Sequence, residues 1–208
     1  PSTGTVSRKA LRSSVSSAVM SALQAHERTQ DERAPIMAEI ALISSHAPWT
    51  PTPELVLWSE VGDGTVFNEQ TLAGPAVDDV WQDTALIRQQ YRQSIEYVIN
   101  NLASYAIQYG DDNLVMLILG DHQPAPLVTG AIDNADVPVH IIARDPAVFD
   151  AIADWQWSEG LLPANDAPVW RMDTLRDRFI DAFTSNATSN ATTSATTSTT
   201  TSETVNGN

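Results

Sequence analysis

The sequence predicts an α/β fold, a three-layer arrangement in which a mainly parallel sheet is flanked by helices. Three observations lead there. Apolar runs of strand length stand at Ile36 to Ser44, Leu114 to Leu119 and Val137 to Ala143. Segments with helical apolar spacing lie between and after them, and strands alternating with helices are the pattern of a parallel sheet. The second run ends abruptly on Gly120-Asp121-His122, at the place where open α/β sheets gather their functional groups.

The elements follow in order. Leu11, Val15, Val19 and Leu23 share one helical face, and a linker from Thr29 to Pro35 follows, so residues 1–35 are assigned to an N-terminal helix and linker. Residues 36–183 are assigned to the α/β domain. Its first strand, Ile36 to Ser44, leads into Ser45-His46-Ala47-Pro48-Trp49-Thr50-Pro51-Thr52-Pro53, where three prolines forbid regular helix. Ile87, Tyr91, Ile95, Val98, Leu102 and Tyr105 then mark a long helix, stopped by Gly110-Asp111-Asp112-Asn113 before the second strand. Val137 to Ala143 reads as an interior strand. Asp145-Pro146 reads as an N-cap with proline at the first helical position, opening a helix to about Trp155. Asp173 reads as the cap of a last helix that packs through Leu175, Phe179 and Phe183. Residues 184–208, almost all Thr, Ser, Asn and Ala, have no apolar periodicity and are expected to form a disordered tail. Within that tail the triplets beginning at Asn186 and Asn190 match glycosylation acceptors, as a Thr- and Asn-rich tract does by chance.

Composition narrows the function. At 208 residues and 42% hydrophobic, the chain can bury one core. Its formal charge of −15 argues against general affinity for nucleic acid or an anionic membrane. The absence of cysteine removes disulfides, thiolate metal sites and cysteine nucleophiles together. No stretch approaches the ~20 apolar residues needed to cross a bilayer.

Asp121 and His122 place two metal-ligand types side by side at a strand end. Gly120 lets the backbone turn sharply there, and Pro124-Ala125-Pro126 fixes the exit path. The alternative is plain turn chemistry, with the Asp as a local cap and the His half-buried. His46 follows an apolar run in the same way, with a backbone-bonded loop histidine as its alternative. In a parallel sheet the ends of these runs lie on one side. Asp121 and His122 would then bind a divalent cation (Mn²⁺, Zn²⁺ or Mg²⁺), while His46 donates a hydrogen bond to an oxyanion. His140, inside a strand, is expected to be a packed residue. Asp63 between two glycines reads as turn chemistry, Trp49, Trp58 and Trp81 as loop anchors, and Arg144-Asp145 as a local ion pair.

Ser45-His46-Ala47-Pro48-Trp49, the helix with Tyr91 and Ser94, and Leu119-Gly120-Asp121-His122-Gln123-Pro124 together resemble the C-terminal half of the alkaline phosphatase superfamily. The resemblance is to its sulfatase-annotated, membrane-anchored branch, which includes lipoteichoic-acid synthases and related phosphoglycerol transferases, and it covers about Ile36 to Phe183. It implies a metal-dependent hydrolase or transferase acting on phosphate or sulfate esters. In that family the Asp and His matching Asp121 and His122 bind the metal, and the His matching His46 lies beside the substrate oxyanion. The resemblance also implies an extracytoplasmic domain of a membrane-anchored protein, or a secreted one.

The chain departs from the family pattern in two places. The superfamily takes its nucleophilic Thr or Ser and an acidic ligand from a region preceding the one resembled, which residues 1–35 are too short and too helix-like to supply. The chain alone is therefore expected to be a C-terminal fragment, inert by itself. Two-metal members also carry a further His before the strand matching Val137 to Ala143, and Val128 to Asp133 has none. The alternatives are a metal-dependent phosphodiesterase using water, or a non-catalytic domain that keeps the fold and binds a glycan or a partner.

Overall fold

The computed structural model describes residues 36–68, 70, 76–130 and 134–197, the last thirteen of these as backbone only. The predicted N-terminal helix and linker lie outside the described residues. The chain divides into two compact units: the described residues of Pro1–Gly110 with Pro124–Asp133, and those of Asp111–Gln123 with Asn134–Asn208.

The first unit contains α1 (Val77–Val80), α2 (Thr84–Tyr109) and the single turn α3 (Pro126–Thr129). Helix α2 starts where the Asp83 carboxylate accepts from the Ala85 N–H at 2.7 Å, satisfying a donor that the first turn leaves orphaned. Its buried face is Ile87, Gln90, Ser94, Tyr97, Leu102 and Tyr105, rotated slightly from the predicted apolar stripe. Tyr91, Ile95 and Val98 are only half-buried, because the face is centred on Ser94, which is completely buried. The Ser94 hydroxyl donates to the Tyr91 carbonyl one turn back, at 2.7 Å, so this small polar side chain is buried without an unmet donor. Trp49, Val80 and Ile87 form a core cluster, flanked by Ala47, Tyr91, Leu127 and Val128. Burial pushes the Tyr91 phenol up from its ordinary pKa.

The second unit contains β1 (Val115–Leu119), β2 (Val139–Ala143), α4 (Pro146–Asp150) and α5 (Met172–Thr197). The two strands pair antiparallel, Val115 opposite Ala143 and Leu119 opposite Val139. Among the described residues this is the whole sheet, so a three-layer parallel sheet is not what they form. A parallel return needs a crossover, usually a full helix. Among the described residues between β1 and β2, only the four of α3 are helical. The strands are also less buried than predicted: Val115, Leu117 and Leu119 are exposed and β2 is half-buried throughout. The run at Ile36 to Ser44 is not a strand; it is irregular to Leu42 and then makes a 3-10 turn, Ile43–Ser45. No partner strand takes up its backbone groups among the described residues, and Met37 is 96% exposed.

A core of Ile152, Trp155 and Leu175 packs against β2 through Val139 and Ile141, with Trp157, Trp170, Phe179 and Phe183 around it. The predicted capping at α4 is present: the Asp145 carboxylate accepts from the Ala147 N–H at 2.9 Å, with Pro146 in the first turn. Asp145 is thereby used as a cap, and no ion pair with Arg144 forms. The helix is shorter than predicted, ending at Asp150 before a separate 3-10 turn, Ala153–Trp155. Leu175, Phe179 and Phe183 do form the packing face of α5. Asp173 does not cap it. The helix starts one residue earlier, and Asp173 takes a two-pronged bond from Arg171, at 2.6 and 3.1 Å. That guanidinium holds the Asp173 carboxyl below the usual carboxylate range.

The backbone of α5 continues to Thr197, into the segment whose composition predicts a disordered tail. Thr, Ser and Asn are poor helix formers, and that segment has no apolar stripe to dock. Deleting residues 185–208 is expected to move the thermal midpoint by about 2 °C or less. A larger fall in a calorimetric scan would show that the segment packs. No helix among the described residues is long and apolar enough to cross a membrane.

Candidate functional site

The second unit positions Asp121 and His122 through its backbone. At Gly120 an added Cβ would stand 3.3 Å from the Val137 Cβ, so the end of β1 and the approach to β2 come together at a distance that suits glycine. The Gly120 N–H donates to the Pro138 carbonyl at 3.3 Å, extending the strand pairing one step beyond β1. The next two residues leave the sheet edge as a bend.

Each of the two side chains is tied to the backbone by one atom and leaves another open. Asp121 Oδ1 accepts from the His122 N–H at 3.0 Å. His122 Nδ1 lies 2.8 Å from the Gln123 carbonyl. A carbonyl only accepts, so Nδ1 carries the proton and the neutral ring keeps its lone pair on Nε2. The untied atoms, Asp121 Oδ2 and His122 Nε2, lie 3.6 Å apart. The local turn chemistry weighed as the alternative is therefore present, but it uses only Oδ1 and Nδ1.

The spacing suits a shared cation. Bonds of about 2.0–2.2 Å in tetrahedral geometry put two donors about 3.3–3.6 Å apart. A carboxylate and an imidazole lone pair suit Zn²⁺ or Mn²⁺, and Mg²⁺ through the carboxylate with water. Both side chains are open to solvent, Asp121 at 87% and His122 at 67% exposure, which leaves room for water or substrate oxygens as further ligands. Among the described residues no group of three or more His, Asp or Glu side chains is placed to hold a metal.

His46 belongs to the first unit, whereas Asp121 and His122 belong to the second. The premise that joined them, parallel strands ending on one side, fails with the antiparallel pair and with the irregular chain at residues 36–42. The histidine itself is exposed, and its Nδ1 lies 2.6 Å from the Ala47 carbonyl. The loop is anchored beside it by the Trp49 indole N–H, which donates to the Ser45 carbonyl at 2.9 Å. With Nδ1 committed, His46 can donate to an oxyanion through Nε2 only as the imidazolium.

His140 is half-buried, and its Nε2 lies 2.9 Å from the Leu161 carbonyl, so it serves to hold a loop. Asp63 is turn chemistry: the Thr65 N–H and hydroxyl both donate to it and hold its carboxyl below the usual range. Trp49 and Trp58 do anchor loops, Trp58 through an indole N–H donated to the Ser104 hydroxyl at 3.2 Å. Trp81 lies against Trp49 with its ring nearly parallel. Sequence reasoning passed over Gln123. Its side-chain amide donates to the Asp136 carbonyl, while its own carbonyl receives the His122 ring. Its place between a candidate ligand and a proline was the available signal. Comparison with protein-family models, with curated proteins and with solved structures finds no match for this chain.

Proposed function

We propose that the chain carries part of the divalent-cation site of a hydrolase or transferase acting on phosphate or sulfate esters, with Asp121 and His122 as two of the ligands. One observation carries the reading: Oδ2 and Nε2 stand 3.6 Å apart while Oδ1 and Nδ1 are held by the backbone. A cation there, Mn²⁺, Zn²⁺ or Mg²⁺, would supply positive charge to the oxyanion of an ester. Asp121 contributes the anionic donor, and His122 a neutral donor whose orientation is fixed by its other nitrogen. The likeness of the Gly-Asp-His segment to the alkaline phosphatase superfamily supports the ester substrate and an extracytoplasmic parent, membrane-anchored or secreted. His46 belongs to the other unit and has no part in this site. In this reading residues 36–183 supply cation ligands and no nucleophile, and are inert by themselves.

Calorimetric titration with Mn²⁺ or Zn²⁺ tests the site. Weak one-site binding is expected, since two protein ligands are fewer than the three of a catalytic zinc. Asp121→Ala and His122→Ala should each abolish it, and His46→Ala should leave it unchanged. No binding to the wild-type chain, or binding that survives Asp121→Ala, overturns the assignment. No turnover of phosphate monoesters, diesters or sulfate esters is expected. Metal-dependent turnover lost in Asp121→Ala would place the nucleophile within this chain.

A further inference from the structure

Two of the three described histidines sit in the same tripeptide pattern, His46-Ala47-Pro48 and His122-Gln123-Pro124. In both, the ring Nδ1 lies within hydrogen-bond distance of the middle residue's carbonyl, at 2.6 Å and 2.8 Å. The third, His140, is followed by Ile141 and Ile142 and is bonded through the opposite nitrogen, Nε2, to the distant Leu161 carbonyl. Ring orientation thus follows the tripeptide.

Proline supplies a physical cause. At the trans Gln123–Pro124 bond the ring Cδ, and at the cis Ala47–Pro48 bond the proline Cα, stands against the residue before it, which is held to an extended conformation. The carbonyl of that middle residue then has a narrow range of directions, and the proline nitrogen brings no N–H to compete for acceptors. A histidine one position earlier meets a fixed acceptor next to Nδ1. At Gln123 the side-chain amide adds a second restraint by donating to the Asp136 carbonyl, so the residue that offers the acceptor is itself held.

We propose that His-Xaa-Pro sets the tautomer of both histidines in this protein: Pro48 for His46, and Pro124 with Gln123 for His122, act as positioning residues that put the proton on Nδ1 and present Nε2. For His122 the partner presented to is a divalent cation, and that clause alone rests on the cation site proposed above. An unrestrained neutral histidine in water prefers the proton on Nε2, the form that offers no lone pair there. The tripeptide therefore removes a tautomeric cost from binding at Nε2.

Long-range ¹H–¹⁵N correlation spectra of the full 208-residue chain, recorded where the rings are neutral, test this. His46 and His122 should show the Nδ1–H pattern and His140 the Nε2–H pattern, with assignments from single His→Gln variants. Pro124→Ala should shift His122 toward the Nε2–H form and lower Zn²⁺ affinity by about 10-fold or more. Pro48→Ala should shift His46 alone. An unchanged His140 signal reports that each variant is folded, and where it is lost the wild-type spectrum decides by itself. Nε2–H patterns at His46 and His122, or folded proline variants with unaltered tautomers, overturn the proposal. Nδ1–H patterns without any Zn²⁺ binding would support it while ending the cation reading.

Discussion

Replacing Trp155 by alanine is expected to destabilise the second unit by about 3–5 kcal/mol, the usual cost of removing a large aromatic side chain from a core. Trp155 is only 5% exposed and sits with Ile152 and Leu175 against Val139 and Ile141 of β2. It also touches two neighbouring indoles edge-on, Trp157 and Trp170, each at 5.2 Å between centroids. The Arg178 guanidinium lies 4.1 Å over the Trp170 ring, so the cluster is tied to α5 on its outer side as well. A two-stranded sheet is marginal alone, so this unit depends on what covers it. Denaturant unfolding followed by circular dichroism should show the loss, whereas Phe149→Ala, at a 44% exposed position, should cost about 1 kcal/mol or less. A Trp155→Ala chain as stable as wild type would mean that the cluster is not the core of this unit.

Replacing Trp49 by alanine should cost the first unit a similar ~3–5 kcal/mol. Its ring is 3% exposed, packs with Val80 and Ile87, and meets Tyr91 edge-on at 5.1 Å. The variant also loses the indole N–H that donates to the Ser45 carbonyl, directly before His46. Trp49→Phe separates the two contributions: it keeps most of the apolar volume and should cost little more than the lost hydrogen bond, about 1 kcal/mol, plus the difference in ring size. Equal losses in the two variants would show that ring burial contributes little.

What was legible in the sequence is what neighbours along the chain decide. Helix α2 is marked by apolar spacing, α4 by Asp145 and Pro146, and the face of α5 by Leu175, Phe179 and Phe183. Strand pairing is decided between distant residues. Apolarity marked β1 and β2 but carried no information on direction, and it marked Ile36 to Ser44 as a strand with nothing to pair with among the described residues. Asp173 shows the limit of capping signals, since Arg171 draws its carboxylate into a bidentate pair. At the candidate site, the nearness of Asp121 and His122 was legible because they are consecutive. Gln123 was not, because its amide bond to Asp136 depends on chain packing thirteen residues away.

The adjacency of Asp121 and His122 also bears on how a cation, bound as proposed, would relate to folding. Ligands on separate strands are brought together only by the native state, and a metal that joins them lends its binding free energy to folding. Here both donors hang from consecutive residues, so the denatured chain retains them as a short chelate. A ligand that also binds the unfolded state stabilises the native one by less than its affinity implies. The fold supplies the orientation of these two donors, not their proximity, and melting temperature is accordingly an insensitive gauge of occupancy at this site.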